Sequence, residues 1–98
     1  MIEVGDFKFE IIENVKDAFN NDEFIELFTD YFYNFDYIIG DYAYSKLRLK
    51  GFYEDTNKLA REHNNISKKD SYIENNCAYN CKYFVLKSNE KLNDNLTK

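Results

Sequence analysis

One strongly amphipathic stretch constrains the fold of this 98-residue chain more than any other feature. Asn20 is a suitable helix N-cap, and Glu23 three residues later completes a capping box. The apolar side chains that follow recur at helical spacing and lie on one face only. Because such a helix must bury its stripe, we expect residues 24–32 to pack against a sheet. The stripe consists of Phe24, Leu27, Phe28, Tyr31 and Phe32, with Ile25 at its flank.

Four other segments have the alternation, or the aromatic and β-branched content, that is typical of strands. They are residues 7–13, 36–41, 47–52 and 81–87. The second and third are close enough along the chain to form an antiparallel hairpin. In the third, Leu47 and Leu49 face one side of the predicted sheet, whereas Arg48, Lys50 and Phe52 face the other.

The remaining segments complete the predicted order of elements. Residues 53–67 are polar and aperiodic, and a connection of this length indicates a functional or mobile loop. Ser67 and Asp70 begin a second, weaker helical pattern. The resulting order, β-α-β-β-α-β, predicts an α+β fold with an antiparallel four-stranded sheet and both helices on one face, either ferredoxin-like or a less regular variant. We expect a single domain over residues 1–87 and a flexible tail over 88–98.

Charge and hydropathy exclude several classes of function. The formal net charge is −5, and long-range repulsion from a phosphate backbone therefore disfavours nucleic-acid binding. No apolar run approaches the ~20 residues of a transmembrane helix. The start of the chain lacks the basic and apolar regions of a secretory signal. These features predict a cytoplasmic protein without a membrane partner.

Two cysteines, Cys77 and Cys81, raise the question of redox or metal chemistry. Three residues separate them, whereas thioredoxin-type motifs have two. A tetrahedral zinc site needs four ligands, and His63 is the only histidine. We therefore favour two reduced, partly buried cysteines over a redox pair or half a metal site, and we expect neither a metal nor a cofactor.

Four carboxylates, Asp36, Asp41, Glu54 and Asp55, bracket the predicted hairpin. Two of them held close together would raise the pKa of one, as acid–base catalysis requires. The alternative, which we favour, is that the first two cap turns and the other two are solvated. The isolated glycines indicate a turn and a close backbone approach, not a phosphate-binding loop. The sequence thus favours a protein that is not an enzyme.

The most distinctive stretch of the chain comprises residues 36–41 and 47–55, and it resembles the YutD-like family of small bacterial proteins. Residues 15–20 resemble the family's segment before the first helix, 77–81 its paired-cysteine loop, and 83–86 its last strand. The chain departs from the family pattern at Tyr42, where tryptophan is expected, and near Ala43 and Ser45, where glycine is expected. The resemblance implies a bacterial cytosolic protein and brings no particular activity with it.

The same stretch carries the candidate binding residues. Cations and rings alternate on one predicted strand face, and exposed tyrosine and arginine suit interface anchors. Our leading hypothesis is therefore a non-enzymatic module that binds another protein. RNA binding is the alternative, since an open sheet face can stack bases on rings while cations hold phosphates, and a small enzyme that uses the carboxylates is the third hypothesis. The predicted binding residues are Asp41, Tyr42, Tyr44, Arg48, Lys50 and Phe52.

Overall fold

The computed structural model describes residues 2–4, 7–43, 45–76 and 82–90. Within these residues, the strands are β1 Ile2–Val4, β2 Phe7–Val15, β3 Tyr37–Ala43, β4 Lys46–Phe52 and β5 Tyr83–Glu90. These five strands form one antiparallel sheet in the order β1-β2-β5-β3-β4. The α-helices are α1 Asn21–Leu27 and α2 Lys69–Asn76, and short 3-10 turns occupy Asp30–Phe32, Glu62–Asn64 and Ile66–Lys68. None of the helices in the described ranges is long and apolar enough to cross a membrane.

The α+β class is confirmed, whereas the four-stranded, ferredoxin-like arrangement is wrong. The additional strand is β1, in which Ile2 pairs with Phe9 and is buried against the core. A three-residue strand is too short for its period to be recognised in sequence. β5 extends to Glu90, three residues into the segment expected to be a tail. Residues 91–98, the rest of that segment, lie outside the described residues.

The two helices lie on opposite faces of the sheet, which corrects the prediction that they share one face. Ile38 belongs to the same apolar cluster as Phe24 of α1. Its neighbours Tyr37 and Ile39 belong to a second cluster, against which Tyr72 of α2 packs. Because successive strand residues point to opposite faces, these two clusters lie on the two sides of β3. One feature of the sequence indicated this two-sided arrangement: the uninterrupted apolar run in β3 is typical of a strand covered on both faces.

Aromatic rings dominate the α1 face of the sheet. Phe24 is fully buried, and its ring centroid lies 5.8 Å from that of Phe9 and 6.5 Å from that of Phe84, edge-on in both cases. The Phe84 ring lies directly over Gly40, where an added Cβ would be 2.2 Å from the ring. The close backbone approach predicted from an isolated glycine is therefore present here. The predicted turn is wrong, because Gly40 lies inside β3 and Gly51 inside β4.

Helix α1 is shorter than its apolar stripe predicted. It ends at Leu27, and the backbone of Phe28 is extended, with ψ 122°. Beyond this break the helical spacing no longer determines which side chains are buried. Tyr31, beyond the break, is consequently 68% exposed, and Leu27, the last residue of α1, is 40% exposed, although the stripe predicted both to be buried. Phe28 still packs partly buried against the core.

Hydrogen bonds hold the long connection after β4 against the sheet. Tyr53 forms a parallel bridge with Asn65. The Asp36 carboxylate accepts hydrogen bonds from the backbone N–H of Glu54 at 2.8 Å and from the Asn57 side chain at 3.0 Å. These contacts bring the second and third 3-10 turns, and the helix that follows them, to the face of β4 opposite α1.

Candidate binding site

A two-point ion pair joins the central strands on the α2 face. Asp41 and Arg48 are direct partners in the β3–β4 register. Arg48 Nε lies 3.1 Å from Asp41 Oδ1, and Arg48 Nη2 lies 2.8 Å from Asp41 Oδ2. Asp41 is only 1% exposed, while the Arg48 side chain is 46% exposed. The hydrogen bonds and negative charge of Asp41 raise the pKa of the Arg48 guanidinium.

Lys50 follows on the same face of β4, and two rings hold it in place. Its ammonium nitrogen lies 5.3 Å from the ring centroid of Phe52 and 5.0 Å from that of Tyr72. Cations are attracted to aromatic faces at these distances. The charge of Lys50 is therefore positioned between β4 and α2.

A cavity of about 240 Å³ opens beside Lys50 and is called here the basic groove. Its floor is β4, one wall is the turn at Glu62–Asn64, and the other wall is formed by α2 and the turn before it. The side chains of that second wall recur at i, i+3, i+4 and i+7, which places them on one helical face. The lining residues are Lys50, Phe52, Glu62, His63, Lys68, Ser71, Tyr72 and Asn75.

Helix α2 is also held over this face of the sheet by hydrogen bonds that involve strands β2 and β5. The Lys69 ammonium group is hydrogen-bonded to the Glu13 carboxylate of β2. The Tyr83 hydroxyl of β5 donates to the same carboxylate at 3.0 Å. These bonds fix the N-terminus of α2 and with it the wall of the basic groove.

The comparison with known proteins agrees with this fold. A family model described as "Putative antitoxin YutD-like" matches residues 3–87. The chain belongs to the YutD-like family. The curated Bacillus subtilis (strain 168) protein named "Putative antitoxin YutD" is 44% identical over 87 residues, which are 89% of this chain and 96% of that protein. The solution NMR structure of YutD from B. subtilis matches with a TM-score of 0.77 at 43% identity, covering 94% of this chain and 84% of that one.

This YutD-like chain brings four of the six predicted binding residues together on one face. Asp41, Arg48, Lys50 and Phe52 all lie on the α2 side of the central strands. Phe52, however, is fully buried, so the prediction of an exposed ring on an open face is wrong. The reason is that α2 covers this face, and the Tyr72 ring packs edge-on against Phe52 at 5.3 Å.

The other two predicted binding residues do not join this group. Tyr42 points to the α1 face, where its hydroxyl donates to Glu23 at 2.8 Å and lies 3.3 Å from the carbonyl oxygen of Ala18. Burial, followed by the hydrogen bond to Glu23 and its charge, raises the pKa of Tyr42 to about 12. Tyr44 lies outside the residues that the structure describes.

The candidate acid–base carboxylates have hydrogen-bond partners of their own. Besides the contacts of Asp36 described above, Glu54 accepts from the Tyr37 hydroxyl at 2.7 Å and Asp55 accepts from the Asn65 side chain at 2.8 Å. Asp41 pairs with Arg48. The prediction that Asp41 caps a turn is wrong, because Asp41 is buried within β3.

Metal chemistry has no support among the described residues. In those ranges no three His, Cys, Asp or Glu side chains are grouped as metal ligands. Cys77 and Cys81 lie outside the described residues, so the hypotheses concerning them stay predictions.

Sequence reasoning missed most of the far wall of the basic groove. Lys68, Ser71 and Tyr72 line it, and the capping pattern at Ser67 had indicated a helix here. The spacing of these residues is that of one helical face, and from this spacing the wall could have been predicted. What the sequence did not provide was the face of the sheet on which this helix would lie.

Proposed function

We propose that this chain is a non-enzymatic cytoplasmic module that binds an acidic surface of a partner protein through Arg48 and the basic groove. The observation that carries this proposal is the buried carboxylate of Asp41, which holds Arg48 by two hydrogen bonds at the surface. A partner that meets Arg48 finds a guanidinium whose position is already set, so less side-chain entropy is lost on binding.

The local charge supports an acidic partner. Arg48, Lys50 and Lys68 supply three positive charges on the α2 side of the sheet. Asp41, which pairs with Arg48, and Glu62 supply two negative charges, so one positive charge remains. This basic patch belongs to a chain with a net charge of −5. Complementary charge across an interface favours encounter and excludes wrong partners. Exposed arginine is also among the residue types on which interfaces depend most.

The family gives the proposed partner a class. The B. subtilis relative is named "Putative antitoxin YutD", and an antitoxin counteracts a toxin. We propose that the partner is a toxin protein and that this chain neutralises it by direct binding. Direct binding needs a preformed surface and no catalytic group, which agrees with the carboxylates serving the fold.

The RNA alternative is weakened by the burial of Phe52, one of the three rings on which it depended. Stacking of bases requires an accessible aromatic face, and Phe52 is 0% exposed. The cations of the groove are still suited to phosphate, so the experiment must separate protein from RNA.

The test is affinity capture from a bacterial lysate, with and without nuclease, by a matched pair of variants. Lys68→Glu reverses an exposed charge that lines the groove, and Lys58→Glu makes the same change in net charge at an exposed lysine outside the groove lining. We expect Lys68→Glu to reduce recovery of one protein by about tenfold, Lys58→Glu to leave it unchanged, and nuclease to have no effect. Equal recovery by the two variants, or loss of the partner after nuclease treatment, would contradict the proposal.

A further inference from the structure

Strand β4 is an edge of the sheet, and just beyond its end the chain forms a single parallel bridge between Tyr53 and Asn65. β4 pairs with β3 on one side, and in the described part of the chain no other strand pairs with β4. Just beyond its end, the Tyr53 N–H donates to the carbonyl oxygen of Asn64 at 2.7 Å. The Tyr53 carbonyl oxygen accepts from the Ile66 N–H at 2.9 Å. Both backbone groups of Tyr53 therefore point away from β3.

Because the backbone groups of Tyr53 point away from β3, the side to which the backbone groups of each β4 residue point can be worked out. The β3–β4 register runs one residue to one from Ala43↔Lys46 to Tyr37↔Phe52, without a bulge. Backbone groups alternate between the two sides of a strand, so Leu49 and Leu47 point outward, as Tyr53 does. Arg48 and Lys50 use their backbone groups to pair with β3. The outer edge thus presents the N–H and C=O groups of Leu47, Leu49 and Gly51.

The side chains on either side of this edge differ in character. On the α2 face are the charges of Arg48 and Lys50. On the α1 face, a second cavity of about 250 Å³ lies between β4 and α1. Leu47 and Leu27, which is 40% exposed, form its apolar part, and its other lining residues are Glu23, Glu26, Ser45 and Lys46. A strand added to this edge would direct alternate side chains toward cations on one face and toward leucines on the other.

We infer that the partner binds by adding an extended segment to the outer edge of β4, and that acidic and apolar residues alternate in that segment. This inference rests on the proposed function and specifies how the partner is recognised. Main-chain hydrogen bonds to Leu47 and Leu49 would supply affinity, while Arg48 and Lys50 would select acidic side chains opposite them.

The same charges exclude a second copy of this chain as the added strand. Two β4 edges paired with each other would place Arg48 and Lys50 of one copy beside those of the other. Like charges directly opposite each other in a sheet are destabilising. Basic side chains on an edge strand thereby block self-pairing while they leave the edge open to an acidic partner.

The first test uses a synthetic peptide of about ten residues in which glutamate and valine alternate, with a lysine–valine peptide as the control. The readout is amide hydrogen exchange of the full chain, measured residue by residue by NMR. The glutamate–valine peptide should slow exchange at Leu47 and Leu49 by about tenfold or more, because these amides become hydrogen-bonded. The control peptide should leave both rates unchanged, and unchanged rates with both peptides would overturn the inference.

A pair of variants tests the backbone contact directly. Leu49→Pro removes an outward N–H without removing a bond to β3, whereas Leu49→Ala shortens the same side chain and keeps the N–H. We expect the alanine variant to bind the glutamate–valine peptide and the proline variant to lose binding at least tenfold. Equal binding by two folded variants would refute strand addition, and if the proline variant does not fold, the exchange rates of the wild-type chain decide the question.

The two proposals fail in different ways. If Lys68→Glu and Lys58→Glu capture the partner equally, the proposed function is wrong. If capture depends on Lys68 but the bound partner leaves the Leu47 and Leu49 amides unprotected, the proposed function stands and strand addition is wrong.

Discussion

Asp41 and Arg48 face each other across the β3–β4 ladder, with the carboxylate buried and the guanidinium half exposed. A carboxylate taken out of water is costly unless a cation and hydrogen bonds compensate it. Arg48 provides both, so the buried charge depends on one side chain at the edge of the sheet. The same arrangement that satisfies Asp41 fixes the position of Arg48.

Replacing Arg48 should therefore damage the fold as well as the surface. We expect Arg48→Ala to lower the free energy of unfolding by about 3 kcal/mol, because Asp41 is left buried without a cation. The double variant Asp41→Leu with Arg48→Leu removes both charges, and its free energy of unfolding should fall by less than that of Arg48→Ala. Urea unfolding measures both effects, and an alanine variant as stable as wild type would contradict the dependence of Asp41 on Arg48.

Two glycines should respond differently to the same methyl group. An added Cβ at Gly40 would lie 2.2 Å from the Phe84 ring, and one at Gly51 would lie 2.2 Å from the Phe35 ring. Phe84 is fully buried and has no room to move, whereas Phe35 is only partly buried. We expect Gly40→Ala to cost about 3 kcal/mol and Gly51→Ala about 1 kcal/mol in urea unfolding. Equal costs would show that Phe35 is held as firmly as Phe84.

The family's expected glycine near the β3–β4 turn has a physical reason here. Ser45 has φ 67°, in the left-handed region that glycine occupies without steric cost. Ser45→Gly should therefore raise the free energy of unfolding by about 0.5 kcal/mol. Ser71→Gly, in the body of α2, makes the same chemical change in a helix and should lower it by a similar amount. If both variants are destabilised in urea, strain at Ser45 is not the reason for the glycine.

Local patterns in the sequence predicted the faces of β4 correctly. Leu47 and Leu49 lie on the side of the α1 core cluster, and Arg48, Lys50 and Phe52 lie on the other, because period two is a property of the strand alone. Which face would be open is a long-range property. It depended on α2, whose sequence has only a weak apolar stripe, and on the contact of Tyr72 with Phe52.

The candidate site, like the fold, was predicted where it depends on local sequence and missed where it depends on long-range packing. The cations Arg48 and Lys50 were identified from their strand position, but the basic groove exists only because Lys68 and Tyr72 arrive from a segment about 20 residues further along the chain. The aromatic stripe after Asn20 predicted a longer helix than α1. The extended backbone at Phe28 ends that helix early, and no glycine or proline in the sequence marks the break.

The last prediction concerns alkaline pH. Burial, followed by the hydrogen bond from its hydroxyl to Glu54, raises the pKa of Tyr37 to about 12, and burial with the contact to Glu23 does the same for Tyr42. A raised pKa means that the folded chain holds the proton more tightly than the unfolded chain, whose tyrosines titrate near 10.0. The stability from these groups is therefore complete below pH 10.0 and is lost as the pH rises toward about 12.

The variants Tyr37→Phe and Tyr42→Phe separate this effect from general alkaline unfolding. Together they should lower the free energy of unfolding by about 2 kcal/mol at neutral pH, since each removes one hydrogen bond to a carboxylate. They should also flatten its decline above pH 10.0, because neither phenylalanine can ionise. Urea unfolding at a series of alkaline pH values, with phenolate absorbance recorded in parallel, makes the measurement. Tyr31→Phe alters a ring that is 68% exposed and serves as the control, and a decline as steep in the double variant as in this control would rule out Tyr37 and Tyr42 as its source.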